Sequence, residues 1–269
     1  MARLRFFLLG FAMALSLPGA TGASVFDREH AAWTALLKQH VHWNADKTAT
    51  SVDYDGFQRD RQVLDVYLAN LASITPSQYQ SWPWPDREAF LINAYNAATV
   101  ELILTAYPKL NSIKDLGGWF SSPWKRSFVH LLGQTRSLDN IEQVLLRGAP
   151  EYRNPRIHFA VNCASLGCPA LRDEAYVGAR LDAQLDDQAR RFLRDRTRNR
   201  FDRATRRMLV SRIFDWYGAD FDRAGGVVGF LAGYADALGI TPAEVADLRA
   251  GRIGIDYLPY DWSLNRSTP

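Results

Sequence analysis

The stretch REAFLINAYNAATVELILTAYP, residues 87–108, decides the fold. Drawn as a helix, it carries apolar side chains on almost every side, and the proline at its end stops the helix from continuing. The pattern predicts a helix buried on most sides, and therefore a core large enough to surround it. Asn93 and Asn96 share one side of this helix. Because buried amides need hydrogen-bond partners, they either tie the helix to a loop or orient an imidazole or a substrate carbonyl.

A β-hairpin and a second helix are predicted after this central helix. Residues 127–132 form an apolar run, Gly133 and Gln134 are turn formers, and a return strand follows. Ser137 is a suitable N-cap for the next helix, which Gly148 ends.

The segment PRIHFAVNCAS, residues 155–165, is rich in β-forming residues and predicts a further strand. The sequence shows no repeats and no linker between these elements. We therefore expect an α+β protein with a single globular domain over residues 24–269. In it, a small and mostly antiparallel sheet carries the strand from His158 to Cys163 and is surrounded by helices.

The first 23 residues have the composition of a secretory signal. Arg3 and Arg5 precede an apolar run over residues 6–17, and small residues follow up to Ala23, after which we expect cleavage. The run is too short to span a bilayer, which argues against the alternative of a single membrane anchor. The mature protein is therefore expected to be periplasmic or secreted, without stable insertion in the membrane.

Composition excludes several classes of function. Removal of residues 1–23 leaves basic and acidic residues almost equal in number, so charge gives no reason to expect nucleic-acid binding. A glycine-rich phosphate loop and a Gly-x-Ser-x-Gly elbow are absent, which argues against an NTPase, a Rossmann enzyme and an α/β-hydrolase. The five histidines include no helical metal-binding pair, and we expect neither a metal nor a cofactor.

The only two cysteines lie in NCASLGCPAL, residues 162–171. Cys163 is either a nucleophile, a buried packing residue, or one half of a bridge to Cys168. A working thiol must ionise, which a neighbouring imidazolium or backbone N–H groups would favour. The small residues of the loop ASLG would let backbone amides approach a ligand and form an oxyanion hole. Asn162 and Ser165, together with Asn96, are the candidate substrate-binding residues.

Two histidines and one carboxylate are candidate partners of Cys163. On a regular strand His158 and Cys163 face opposite sides, so His158 reaches the thiol only if the strand breaks there. His130, on the predicted hairpin, is the more distant candidate base. Glu142 falls inside the apolar arc of its helix, where a carboxylate needs a partner. That partner is an arginine such as Arg147 or Arg156, unless Glu142 is itself a base.

Five ordered blocks resemble one known family: FLINAYNA, SLDNIEQVLLRG, RIHFAVNCASLGCPAL, FDWYGADF and YLPYDWSLN. Together they are similar to the family catalogued as domain of unknown function 547, over about residues 82–265. The resemblance implies a distant relation to papain- and transglutaminase-like thiol folds. It also implies that certain positions recur as a signature, and in this sequence these are Asn93, Asn96, Ile141, Glu142, Arg147, His158 and Cys163.

Three features qualify that resemblance. Relatives often have a histidine after the Ile-Glu pair, where this chain has Gln143, and they replace the residue matching Cys168 by serine. Papain-like sites also place their cysteine at the start of a long helix, whereas Cys163 is predicted to follow a strand. This last departure counts against a simple protease, and the serine in relatives weakens the case for an obligatory Cys163–Cys168 bridge.

The leading hypothesis is an exported thiol-dependent enzyme of the acyl-transfer or amide hydrolase type that acts on a small-molecule or peptide-like ligand. Cys163 would be its nucleophile, His158 or His130 its base, and Asn93 and Glu142 would orient them. The alternative is a non-catalytic periplasmic binding or interaction protein with a structural Cys163–Cys168 pair. Thiol redox exchange ranks last because the sequence has no Cys-x-x-Cys.

Overall fold

A computed structural model describes residues 26–118, 121–149, 151 and 154–267. The expected signal, residues 1–23, lies outside the described residues. Among those described, no helix has both the length and the apolar character that a membrane span requires.

Helices make up about half of the residues that the structure describes. The α-helices are α1 Ala31–His40, α2 Tyr54–Arg59, α3 Arg61–Ala72, α4 Pro76–Gln80, α5 Trp84–Leu104, α6 Leu138–Asn140, α7 Leu181–Arg194, α8 Ile213–Trp216, α9 Gly226–Gly233, α10 Ala235–Leu238 and α11 Pro242–Arg249. Short 3₁₀ helices span Ile113–Leu116, Pro123–Lys125, Pro155–Phe159, Gly178–Arg180 and Gly218–Ala224. Helix α6 continues directly into a π-helical turn, Ile141–Leu146.

Within the described ranges, seven short strands form three separate sheets. The strands are β1 Val41–Trp43, β2 Thr50–Val52, β3 Val129–Leu131, β4 Gln134–Arg136, β5 Arg200–Asp202, β6 Arg207–Val210 and β7 Gly254–Tyr257. Strands β1 and β2, and likewise β3 and β4, form antiparallel pairs. In the third sheet β6 pairs antiparallel with β5 and parallel with β7. The predicted α+β class with small, mostly antiparallel sheets is confirmed.

The predicted hairpin is confirmed as β3 and β4, with its turn one residue earlier than expected. Val129 pairs with Arg136 and Leu131 with Gln134, so Leu132 and Gly133 form the two-residue turn. Both turn residues have positive φ, 52° and 72°. This is the conformation that tight hairpin turns require and that glycine adopts without strain.

Helix α5 lies at the centre of the larger of two hydrophobic cores. Sixteen of its 21 residues are buried, which confirms the prediction of a helix covered on most sides. The second core is built around the aromatic residues Phe159, Phe192, Phe214 and Phe221. Phe159 packs in this second core, whereas its neighbour Ala160 packs in the first. The segment that leads to Cys163 therefore runs along the boundary between the two cores.

The strand predicted from His158 to Cys163 is wrong, because Pro155–Phe159 form a 3₁₀ helix instead. Pro155 occupies the first turn, where its missing N–H costs nothing, and the Asn154 side chain accepts a hydrogen bond from the Arg156 N–H. Beyond this helix, the Asn96 side chain pairs with the Ala160 carbonyl and the Asn162 N–H. Those backbone groups are thus bonded to a side chain, and no neighbouring strand pairs with them.

Glu88 on α5 is fully buried, and neither carboxylate oxygen has a hydrogen-bond partner within the described chain. Burial raises the pKa of Glu88 to about 8, although the nearby Arg156 charge acts in the opposite direction. The folded protein therefore holds a proton on Glu88 at neutral pH.

We expect Glu88→Gln to remove one source of the pH dependence of the free energy of unfolding. Between the ordinary glutamate pKa of about 4.3 and pH 8, folded Glu88 keeps its proton and the unfolded chain releases it, so the free energy of unfolding falls as pH rises. The variant should therefore gain thermal stability over wild type as pH increases, measured as Tm between about pH 5 and pH 9. The exposed Glu29→Gln is the control. A Tm difference that stays constant with pH would contradict the assignment.

Candidate functional site

A pocket of about 290 Å³ opens beside the boundary between the two cores. Cys163, His158 and Glu142 all line it. The structure thus brings together three of the residues that the sequence singled out, although they come from different elements. Aromatic side chains form much of the remaining wall, namely Tyr95, Trp124, Trp216, Tyr217, Tyr260 and Trp262.

The Cys163 sulfur is surrounded by hydrogen-bonding groups. It lies 3.2 Å from Ser165 Oγ, 3.2 Å from the Tyr260 hydroxyl and 2.7 Å from Cys168 Sγ. Burial disfavours the thiolate, but the hydrogen bonds from Cys168, Ser165 and Tyr260 outweigh it and lower the pKa of Cys163. The thiol is therefore activated by neutral donors.

Cys168 is the protonated partner of this pair. Burial and the hydrogen bond to Cys163 raise the pKa of Cys168 well above that of a free thiol. Both cysteines are free in the structure. Cys168 Sγ also accepts a hydrogen bond from the Cys163 backbone N–H, at 2.8 Å. The two residues thus form one hydrogen-bonded unit in which Cys163 is the easier to ionise.

The residue after the nucleophile candidate has an unusual backbone. Ala164 is fully buried and has φ 59°, in the left-handed region that side chains other than glycine rarely adopt. Its N–H donates to the Asn162 side chain at 2.9 Å, and its carbonyl accepts from the Asn265 N–H. These bonds hold the reversal of the chain directly after Cys163.

The expectation that the loop ASLG offers its amides to a ligand is wrong. The Leu166 and Gly167 N–H groups donate to the carbonyls of Ser263 and Asp261, and the Cys168 N–H donates to Ser165. The C-terminal segment therefore uses these donors to fasten the loop. The Ser165 N–H supports the Cys163 thiolate itself.

The carboxylate of Asp220 holds the His158 ring in place. Its Nε2 lies 2.7 Å from Asp220 Oδ2, and the ring stacks on Tyr217 with centroids 4.0 Å apart. Arg147 donates to both oxygens of Asp220, at 2.6 and 3.0 Å. Although burial acts in the opposite direction, hydrogen bonds from His158 and Arg147 hold the pKa of Asp220 well below its usual range. His158 Nδ1 is buried and has no hydrogen-bond partner in the described chain.

His130 lies away from this pocket, so its proposed role as a base for Cys163 is wrong. It is in β3, hydrogen-bonds to Thr135 in the same hairpin, and lines a different pocket, bounded by α3 and α5. Within the described residues, no hydrogen bond joins the Cys163 sulfur to a histidine. His158 is the imidazole that shares the pocket with Cys163.

The candidate asparagines hold backbone segments in place, and none of them lines the Cys163 pocket. Asn93 pairs with both the carbonyl and the N–H of Tyr176, at 2.7 and 3.0 Å. Asn96 pairs with Ala160 and Asn162, as described above. The Asn162 side chain links the Ala164 N–H to the Pro169 carbonyl and so spans the base of the cysteine loop. Of the expected substrate-binding residues, Ser165 alone contacts the thiol.

Glu142 is buried as predicted, but neither proposed arginine is its partner. Arg147 pairs with Asp220, and Arg156 pairs with Asp182 at 2.5 Å. Glu142 Oε1 instead accepts a hydrogen bond from the Tyr217 hydroxyl at 2.8 Å. Glu142 lies on the π-helical turn, where the Arg147 N–H donates to its carbonyl, and such turns are frequent at functional sites.

A comparison with known families matches part of the chain. Residues 79–193 match the family model described as Protein of unknown function, DUF547. No curated protein and no solved structure matches the chain. The resemblance is therefore confirmed over residues 79–193, and its extension to residue 265 stays a prediction.

The DUF547 segment contains Glu142, His158 and Cys163, but several residues of the site lie beyond it. Tyr217, Asp220 and Tyr260, which contact Glu142, His158 and Cys163 respectively, were not predicted. The blocks FDWYGADF and YLPYDWSLN contain all three, so the sequence did carry a signal for them. Residue types alone gave no reason to select a tyrosine as the partner of a thiol.

In the residues that the structure describes, no group of three or more histidine, cysteine or acidic side chains is arranged to hold an ion.

We expect Tyr260→Phe to raise the pKa of the Cys163 thiol, because the ring is kept and one donor to the thiolate is lost. The measurement is the pH dependence of iodoacetamide alkylation at Cys163, located by peptide mass spectrometry. Tyr257→Phe, which removes a hydroxyl from an exposed residue, should leave the profile of wild type. An unchanged profile in Tyr260→Phe would show that the hydroxyl does not support the thiolate.

Proposed function

We propose that the protein is a thiol-dependent enzyme of the acyl-transfer or amide hydrolase type with Cys163 as its nucleophile. The observation that carries the proposal is the lowered pKa of Cys163 in a pocket where three donors surround its sulfur. Apolar surroundings raise the pKa of a buried structural cysteine, so its thiol stays protonated. Such a cysteine needs no donors to stabilise a thiolate.

The proposed reaction has two steps. The Cys163 thiolate attacks the acyl carbon of the substrate, a C–S bond forms, and the C–N or C–O bond to the leaving group breaks. Water, an amine or an alcohol then attacks the thioester, the C–S bond breaks, and the thiolate is restored. The leaving group takes up one proton in the first step, and the attacking group gives up one proton in the second.

His158 is the proposed proton carrier. Its Nε2 is fixed by Asp220, which leaves Nδ1 as the ring nitrogen that can exchange a proton with the reacting group. Asp220 would stabilise the imidazolium formed when His158 takes a proton, and Arg147 keeps that carboxylate ionised. His158 would give a proton to the leaving group in the first step and take one from the attacking group in the second, so the scheme needs no hydrogen bond between the imidazole and the thiolate.

We further propose that the enzyme acts in the periplasm or outside the cell. The support is the composition of residues 1–23, with two arginines followed by an apolar run and small residues.

A non-catalytic binding or interaction protein is the second candidate function, and the proximity of the two cysteines favours it. Their sulfur atoms lie 2.7 Å apart, so a structural Cys163–Cys168 bridge needs little movement of the backbone. Intact-mass spectrometry of the unreduced protein separates the two. A loss of two hydrogen atoms in every molecule would favour the bridged binding protein.

The enzymatic proposal is tested with 4-nitrophenyl acetate as a generic acyl donor. We expect wild type to gain one acetyl group at Cys163, and we expect Cys163→Ala to release nitrophenolate slower by on the order of 10³-fold or more. His158→Gln should slow turnover by about 10²-fold to 10⁴-fold, the usual range for loss of a general acid or base.

His130→Gln is the matched control for His158→Gln, because His130 lies in the other pocket. It should keep the wild-type rate. Acetylation that persists in Cys163→Ala, or equal losses in the two histidine variants, would exclude the proposed mechanism.

A further inference from the structure

The Cys163 pocket has a negatively charged lining. Asp139 and Glu142 both contribute carboxylates to its wall. No lysine or arginine is among its described lining residues. A ligand that enters this pocket therefore meets acceptor groups and negative charge, apart from the imidazole of His158.

Among the described residues Glu142 has no direct salt-bridge partner, although the Arg147 charge, which is paired with Asp220, acts on it at longer range. It is only 6% exposed, and within the described chain it forms no salt bridge. In the part of the chain that the structure describes, the Tyr217 hydroxyl donates a hydrogen bond to Glu142 Oε1. Burial and the Glu142 carboxylate together raise the pKa of Tyr217, which keeps the tyrosine a hydrogen-bond donor. A buried carboxylate without a direct ion pair is costly, and a cationic ligand in the pocket would supply one.

An aromatic wall lines the same pocket as these carboxylates. Tyr260 lies 4.9 Å from Trp216 and 4.5 Å from Trp262, and Trp216 stacks on Trp262 at 5.7 Å, all between ring centroids. Trp124 extends the wall by an edge contact with Trp262 at 5.7 Å. Trp216 is 45% exposed at this pocket, so part of its indole is free to contact a ligand.

The wall already binds a cation of the protein itself. The Lys114 ammonium lies 3.8 Å from the ring centroid of Trp262, although Lys114 does not line the pocket. Indole rings attract cations through the negative face of their π system, most strongly when water is excluded. A pocket that combines such rings with a buried carboxylate outside any described salt bridge favours a positively charged group over a neutral or negative one of the same shape.

We propose that the pocket selects substrates that carry a positively charged amine, held between the Glu142 and Asp139 carboxylates and the aromatic wall. The inference rests on the proposed function for its meaning, since it names the substrate class of that enzyme. The pocket volume of about 290 Å³ suits one small amine-bearing group or side chain.

The test compares three probes of one shape and different charge: benzylammonium, benzyl alcohol and benzoate. Binding is measured by calorimetry on Cys163→Ala, so that no reaction interferes. We expect benzylammonium to bind at least about tenfold more tightly than either of the other probes, and Glu142→Gln to abolish most of that preference. In wild type, benzylammonium should slow the alkylation of Cys163 by iodoacetamide.

Asp182→Asn is the control for Glu142→Gln, because it removes one negative charge from a side chain that is 89% exposed. It should leave the preference for benzylammonium intact.

Trp216→Ala tests the aromatic wall at an exposed position. This variant should weaken the binding of benzylammonium more than the binding of benzyl alcohol. Equal binding of the three probes, or equal effects of Glu142→Gln and Asp182→Asn, would overturn the inference.

The outcomes separate this inference from the proposed function. Charge-selective binding in a protein that 4-nitrophenyl acetate never acetylates would overturn the enzyme and keep the cation site. Acetylation at Cys163 without charge selectivity would overturn the cation site and keep the enzyme.

Discussion

The architecture around Cys163 depends on one constraint, which is that buried backbone groups must find hydrogen-bond partners. The cysteine lies where the chain passes between two hydrophobic cores, and no sheet is available there to pair with it. Two side-chain amides replace the sheet, Asn96 from α5 before the cysteine and Asn162 across its loop. Loss of either amide would leave backbone donors and acceptors unpaired in the interior, at a cost of about 1–3 kcal/mol for each group. The position of the sulfur is therefore set by the core helix α5.

The charge balance of the site follows from the kind of donors that surround the thiol. Cys168, Ser165 and Tyr260 are all neutral, so they stabilise a thiolate without placing a fixed positive charge beside it. The cation nearest to the imidazole, Arg147, is committed to Asp220. The pocket consequently keeps a net negative character at Asp139 and Glu142. Neutral donors lower the pKa of the Cys163 thiol, whereas the carboxylates and the aromatic rings are the groups proposed to attract cations. The two properties are therefore compatible in one pocket.

The buried helix α5, the β3–β4 hairpin and the burial of Glu142 could all be predicted, because each depends on local patterns of apolar residues and turn formers. The 3₁₀ helix at His158 could not be predicted, because the β-propensity of that segment was overridden by tertiary contacts. One of these contacts comes from the Asn96 amide, which lies more than 60 positions away in the chain. Arg147 and Arg156 were the wrong partners for Glu142 because arginine pairing depends on which carboxylates the fold brings near. Tertiary structure brings Asp220 and Tyr260 to the site. One sequence alone does not show which distant residues will lie close together in the fold.

The sulfur of Cys163 and the hydroxyl of Tyr260 are separated by 97 positions in the chain. A polypeptide emerging from the ribosome exposes the cysteine long before that tyrosine has been synthesised. During that interval Cys163 is chemically an ordinary cysteine, with a pKa near 8.5 and little thiolate at neutral pH. The Tyr260 hydroxyl therefore supports the thiolate only after the two distant segments have come together.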